Sequence, residues 1–290
     1  MGLLFETPRQ RALRLFDRAR GTQGPSPLTG KVVLITGASS GIGAATARAV
    51  AARGATVLLV ARRAYELAIT AESIEDAGGV AYTYPCDLTD ADSVSALVEA
   101  VLDEHGAVDY LVNNAGRSIR RSVELSYDRF HDVERTMAIN YFAPVRLTLA
   151  LLPVMREQRF GHVVNVLSWG VQLKAPKFSA YLASKTALDT WSRIVGRETY
   201  DDNVTFTNLR LGAVKTKMLV PTGAGEDNRA ITAVEAAERV VRALEDRPVV
   251  VNERVGTPGE LLGVLAPRLS DAVFARFVGR TPDTPQARGE

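Results

Sequence analysis

The sequence predicts an α/β fold built on a doubly wound parallel sheet. Three observations predict it. Strand and helix patterns alternate along most of the chain, which implies βαβ crossovers and a sheet covered on both faces. A glycine-rich turn stands between the first strand and the first helix, where a nucleotide-binding βαβ unit needs it. The chain has 290 residues, 46% hydrophobic and 23% charged, enough for a large core without disulfides or structural metal. The expected architecture is therefore a single Rossmann-like sheet of seven parallel strands, in the order 3-2-1-4-5-6-7.

Composition excludes several classes of function. The 35 Lys plus Arg against 33 Asp plus Glu leave a net charge of +2, far from the basic face of a nucleic-acid-binding protein. Cys86 is the one cysteine, so no disulfide framework, thiolate zinc site or iron–sulfur cluster is expected. The three histidines, His105, His131 and His162, are scattered, and no metal is expected. A reduced, cytoplasmic compartment fits this usage. No run reaches 18 apolar residues, so no membrane span is expected. Leu3-Leu4-Phe5 is too short for a secretory signal.

Residues 1–29 read as a separate piece. Ala12, Leu15, Phe16 and Ala19 fall at helical spacing beside Arg11, Arg14 and Arg18, giving a short basic amphipathic helix within 1–20. It is either an arm packed on its own or a neighbouring subunit, or a peripheral membrane contact. Packing is favoured, because so short a helix is marginal alone. Gly21–Gly30 is a linker by composition.

The main domain is expected over 30–252. Its strands are expected at Lys31–Thr36, Thr56–Val60, Val80–Tyr84, Val108–Val112, His162–Leu167, Val204–Leu209 and Pro248–Val251. Helices are expected at Ile42–Arg53, Ala64–Ala77, Asp90–His105, Arg129–Glu157, Ala180–Tyr200 and Val234–Asp246. Residues 253–290 form an extension with two short apolar helices, Leu261–Leu265 and Val273–Val278, and a frayed end.

The first strand runs into Gly37-Ala38-Ser39-Ser40-Gly41-Ile42-Gly43. Glycines there permit a tight turn and close approach of backbone to phosphate. The following helix N-terminus offers free N–H groups to a pyrophosphate. After the second strand comes Arg62-Arg63, with no carboxylate between Gly54 and Tyr65. An acidic residue there would hold an NAD ribose, whereas an arginine accommodates a 2′-phosphate. Arg62, with Ser39 as hydroxyl partner, is thus expected to select NADP(H). A solvated helix start is the plainer alternative, but arginine opposes the dipole there.

Tyr181 and Lys185 are four residues apart on one helical face. An ammonium beside a phenol lowers the phenol pKa. Tyr181 is then a candidate general acid for carbonyl reduction, with Ser168 holding the same carbonyl oxygen. Pro144 lies four residues after Asn140 and cannot donate to its carbonyl, which is left free for a water.

These motifs resemble the short-chain dehydrogenase/reductase family over residues 28–252. The match includes the glycine turn, Asn113-Asn114-Ala115-Gly116, Asn140, Ser168 and Tyr181-Leu182-Ala183-Ser184-Lys185. The resemblance implies that Asn114, Ala115 and Gly116 border the cofactor, and that Asp87-Leu88 meet the adenine. It implies that Lys185 binds the nicotinamide ribose and that Asn140 holds a water in a proton relay. It implies that Gly212, Val214 and Thr216 lie near the carboxamide, although Leu211-Gly212 replaces the family's Pro-Gly and leaves that turn without its proline. It also implies a homodimer or homotetramer paired through the two long helices. Residues 217–231 are a candidate lid.

A narrower resemblance, from Asn114 to Leu147, is to bacterial NADPH-dependent fatty acyl-CoA reductases. The substrate is then a lipid-derived carbonyl compound. Arg117, Arg120 and Arg121 are candidates for CoA phosphates or for salt bridges to Glu124, Asp128 or Asp132. Trp169, Phe178 and Met218 line an apolar pocket or pack in the core. Two alternatives stay open: reduction of another ketone or oxidation of a secondary alcohol (3-oxoacyl, steroid or xenobiotic), and a non-catalytic NADP-binding regulator.

Overall fold

The computed structural model describes residues 25–219, 230–278 and 282–288. The arm expected within 1–20 lies outside them, as does most of the candidate lid. The strands are β1 Val32–Thr36, β2 Thr56–Ala61, β3 Val80–Pro85, β4 Tyr110–Asn113, β5 Gly161–Ser168, β6 Val204–Leu211 and β7 Val250–Val251. They form one seven-stranded sheet in the order β3-β2-β1-β4-β5-β6-β7, and every pairing is parallel. The predicted order holds. Between them run α1 Gly41–Ala51, α2 Ala64–Glu75, α3 Ala91–His105, α4 Phe130–Met137, α5 Ala143–Glu157, α6 Gly170–Leu173, α7 Ser179–Glu198 and α8 Ala233–Asp246.

Both faces of the sheet are buried, so the strands read as nearly continuous apolar runs. Side-chain alternation still sorts them. Val33, Ile35, Val57 and Leu59 pack with Ala47 and Val50 of α1, Leu67 and Ile74 of α2, and Val240 and Leu244 of α8. Leu34, Leu58 and Val60 point the other way, onto Val94 and Val101 of α3 and Leu147, Leu151 and Met155 of α5. Each such side chain, fully removed from water, contributes about 1.5–3 kcal/mol. Helix α8 starts on a complete capping box. The Thr232 hydroxyl accepts from the Glu235 N–H at 3.2 Å, and the Glu235 carboxylate accepts from the Thr232 N–H at 2.7 Å.

The helix expected as one piece over Arg129–Glu157 is continuous but changes its winding. Residues Ala138–Phe142 form a π-helical turn between α4 and α5. Pro144 sits in the first turn of α5 and, having no N–H, donates no bond back into the π-helical turn. This 28-residue unit is long and apolar enough to cross a membrane, a property that counting unbroken apolar residues does not register. Its inner face carries the buried Thr136, Asn140, Leu147 and Leu151.

Beyond the sheet, α9 Gly256–Leu265 packs on α6, followed by α10 Pro267–Val278 and a last turn, α11 Pro285–Arg288. The described part of the C-terminal end is tied down rather than frayed. The Asp283 carboxylate accepts from the Ser122 N–H at 3.2 Å and lies 3.4 Å from the Lys177 ammonium. Arg120 donates to the Pro282 carbonyl at 3.1 Å.

A polar ladder crosses the buried sheet. Asn113, Asn165 and Asn208 are register partners on β4, β5 and β6. Asn113 donates to Asn165 at 3.0 Å, and Asn165 donates to Asn208 at 3.1 Å. The Ser192 hydroxyl of α7 donates to Asn208 at 2.9 Å.

Candidate active site

A cleft of about 1480 Å³ opens at the C-terminal ends of the strands, where the switch in strand order leaves a crevice. Its floor is the glycine turn. Gly37 and Gly41 have φ of +67° and +56°, a region that side chains disfavour. Gly43 is needed for space: a Cβ there would lie 2.2 Å from the Gly37 carbonyl oxygen. Ser40 caps α1 with extended backbone and no side-chain bond to it, so the first N–H groups of α1 face the cleft. This is a cradle for a pyrophosphate, and the residues fit a dinucleotide.

The β4 loop is clamped to this turn. The Thr36 hydroxyl accepts from the N–H groups of both Asn114 and Ala115 at 3.0 Å, and the Asn114 amide donates to the Thr36 carbonyl at 2.9 Å. Asn114 thus borders the cleft while its side chain holds the turn in shape. Arg62, Arg63, Asp87 and Leu88 line the adjoining wall. Hydrogen bonds from Thr89 hold the Asp87 carboxyl below its ordinary range, with a smaller contribution from Arg62. Ser39, expected beside Arg62 at a 2′-phosphate, is bonded here to Arg63, which donates to it at 3.3 Å and lies 3.0 Å from Glu66.

Ser168 at the end of β5 and Tyr181 and Lys185 on α7 meet at the inner end. The expectation that Lys185 lowers the Tyr181 pKa is not met. Burial dominates both groups, pushing the phenol up to about 12 against a hydrogen bond from Ser168, and the ammonium down to about 8. The Lys185 ammonium donates to the Val166 carbonyl at 2.9 Å. Tyr181 therefore keeps its O–H at neutral pH, the form that donates a proton.

Asn140 lies in the π-helical turn, completely buried. Its side chain accepts from the Arg117 N–H at 2.8 Å and donates to the Arg117 carbonyl and the Ser184 hydroxyl at 2.9 Å. It fastens the β4 loop to α7. A Cβ on Gly116 would meet Asn140 Oδ1 at 2.9 Å, so that glycine is demanded by the same contact.

The turn after β6 is secured without its proline. The Gly212 N–H donates to Glu253 at 3.1 Å, and Glu253 is ion-paired with Arg239. Val214 bridges to Ile231, closing the base of the segment expected as a lid. Thr216 lies against the phosphate turn: its Cγ2 is 3.2 Å from where a Cβ on Gly41 would be.

Trp169, Phe178 and Met218 all line the cleft, with Leu182. Of the three arginines after Gly116, only Arg117 does. Arg121 is 3.1 Å from Asp132, as the salt-bridge alternative has it, and also donates to the Ala287 carbonyl. The sequence reading missed Arg135, Lys215 and Lys217 on the cleft wall. Their spacing carries no motif. The histidines stay apart: His105 touches Tyr82 and Tyr84, His131 lies beside Asp132, and His162 is buried in β5.

Comparison with known proteins agrees with this architecture. The short chain dehydrogenase family matches residues 31–227. A fatty acyl-CoA reductase of Mycobacterium tuberculosis is 46% identical over 89% of this chain and 88% of its own length. A fatty acyl-CoA reductase of Acinetobacter baylyi is 42% identical over 90% and 88%. A metagenomic short-chain oxidoreductase solved in complex with NADP is 30% identical, with a TM-score of 0.67 over 78% of this chain and 97% of that one. By sequence and by fold, this chain belongs to the short chain dehydrogenase family of oxidoreductases, enzymes that use a nicotinamide cofactor.

Proposed function

We propose that this protein is an NADPH-dependent reductase that transfers hydride to the carbonyl of a long-chain acyl-CoA or aldehyde. The observation that carries the reading is one cleft in which a protonated tyrosine, an apolar wall and several arginines converge. The likeness to two fatty acyl-CoA reductases, 42–46% identical over most of the chain, supports it.

The nicotinamide, when bound, supplies the hydride. The chain supplies the rest. Ser168 holds the carbonyl oxygen, and the Tyr181 O–H donates a proton to that oxygen as the carbonyl carbon accepts hydride. With a thioester the product is a hemithioacetal. Its C–S bond breaks, the hydroxyl proton passes to sulfur, and aldehyde and free CoA thiol result. Lys185 holds the ribose from inside α7, and Asn140 keeps Arg117 and α7 in place. No cysteine takes part: Cys86 is buried beside the Asp87 wall, with its thiol pushed up by burial.

Arg62 favours the 2′-phosphate of NADPH, helped by Arg63 and Ser39. Arg62→Asp is expected to weaken NADPH binding and improve NADH binding, read by fluorescence titration. Equal affinity of the wild type for both cofactors contradicts this assignment. We further place the protein in the cytoplasm as a homodimer or homotetramer.

The deciding assay follows NADPH oxidation and thiol release together. Stoichiometric CoA thiol from a long-chain acyl-CoA supports the reading. Oxidation of NADPH by ketones alone, with no thiol released, refutes the acyl-CoA substrate and favours the ketone reductase.

A further inference from the structure

The cleft is far more basic than one dinucleotide requires. Arg62, Arg63, Arg117, Arg135, Lys215 and Lys217 line it, beside the Lys185 already assigned. Among the described residues, Asp87 is the one carboxylate that lines it. The chain as a whole is nearly neutral, so this is a local concentration of charge.

Most of these cations have a place in binding the cofactor. Lys215 and Lys217 flank Thr216, which lies against Gly41 of the phosphate turn, and both line the cleft there. Arg62 and Arg63 follow β2, where the 2′-phosphate belongs. Arg117 and Arg135 are left over. Neither side chain makes a hydrogen bond or ion pair to another described residue. Asp132, the acid that attracts Arg117, is already engaged by Arg121 at 3.1 Å and lies 3.4 Å from His131.

The pair is also built in. Both the N–H and the carbonyl of Arg117 are held by the Asn140 side chain. Arg135 stands on α4, five residues before Asn140 in the same continuous helix. One buried asparagine thus sets Arg117 and, through the helix, fixes it relative to Arg135. Burial pulls the Arg117 pKa below its ordinary range, and repulsion from Arg135 and, less, Arg62 adds to this, against attraction from Asp132. Two guanidinium groups beside one carboxylate that Arg121 already engages leave positive charge in excess, which an anion relieves.

We infer that Arg117 and Arg135 form a second anion site, separate from the cofactor's, which holds the phosphates of the CoA portion of the substrate. This rests on the acyl-CoA reading above and adds to it the part of the protein that recognises the carrier. The acyl chain then lies along Trp169, Phe178 and Leu182, while the phosphates stay at the arginine wall. Guanidinium groups suit phosphate because they offer paired donors in one plane.

The test uses the full-length protein saturated with NADP+ and desulfo-CoA, which cannot react. Wild type is expected to bind it, and Arg135→Ala to lose roughly tenfold in affinity, the order expected for one charge-assisted contact. Arg117→Ala is expected to behave alike, and Arg135→Lys to recover part of the loss. Arg135 is exposed on its helix, so its truncation leaves folding intact even if that of Arg117 does not. The kinetic readout is the ratio of kcat/KM for dodecanoyl-CoA to that for S-dodecanoyl pantetheine, which carries no phosphate. That ratio is expected to fall by the same factor.

An unchanged ratio in Arg135→Ala, with wild type active on acyl-CoA, overturns this inference and leaves the reductase reading standing. An equal or larger loss of NADPH affinity assigns the pair to the cofactor and also overturns it. A wild type that reduces dodecanal but neither thioester overturns the acyl-CoA reading itself, and the second site falls with it.

Discussion

Tyr181 and Lys185 come out of the structure with different tasks. The phenol is held protonated by burial, whereas the buried ammonium is spent on the Val166 carbonyl and the floor of the cleft. Tyr181→Phe keeps the ring and its packing but removes the transferable proton. Turnover is expected to fall by roughly 10²- to 10⁴-fold, the usual contribution of general acid catalysis, while NADPH affinity changes little. Lys185→Ala is expected to lower both. Steady-state kinetics with parallel cofactor titration separates the two, and a Tyr181→Phe variant working at wild-type rate removes Tyr181 from the mechanism. At this scale the site residues could be read from the sequence because motif spacing brings them together. Their protonation could not, because it depends on how deeply α7 is buried. For the same reason the bond between Arg63 and Ser39 was not legible: Arg62 and Arg63 are adjacent, and only side-chain placement tells them apart.

At the scale of elements, one turn and one strand bear the most constraint. The β1–α1 turn closes on itself, so Gly43→Ala drives a methyl into the Gly37 carbonyl. A forced fit of this kind typically costs 1–3 kcal/mol. A lowered Tm with lost nucleotide binding is expected, and an unshifted Tm with normal titration would show the turn to be pliable. Strand β5 carries the other constraint. His162 is completely buried, its ring bonded to Thr205 and the Ala243 carbonyl, and burial lowers its pKa from 6.5 to about 3. Between those values the unfolded chain takes up a proton that the native state refuses. Stability therefore rises with pH across that window and is lost on acidification. The loss between pH 7 and pH 5 from this group is about 2 kcal/mol. Urea unfolding at the two pH values checks it, and His162→Gln should flatten the difference. The strands and most helices were legible because their apolar periods are strong. The π-helical turn was not, because Pro144 marks an interruption without saying how the backbone absorbs it. The tie between 282–288 and the segment after β4 was hidden too, since its contacts join residues some 160 positions apart.

Among the described residues, the two long helices leave large apolar side chains in the open. Phe142 and Leu149 on the α4–α5 helix and Ile194 on α7 are each about half exposed. Pairing these helices across subunits would cover them, and a dimer or tetramer is expected by light scattering at micromolar concentration. Leu149→Glu should shift the mass toward monomer, and a monomeric wild type refutes the pairing. The strand order was legible as a whole because alternating βα units and a right-handed crossover leave few topologies. The charge of the cleft was not, because its cations come from four separate loops and helices. The asparagine ladder beneath the cleft has a consequence for how the chain finds this fold. Apolar parallel strands resemble one another, and their pairing forms late and over long separations. If β5 slid by one residue against β4 or β6, Asn165 would lose Asn113 or Asn208 respectively and leave amides stranded in hydrocarbon, at about 1–3 kcal/mol for each unpaired group. The three asparagines thus act as an index mark, penalising misaligned intermediates and letting only the correct alignment go forward.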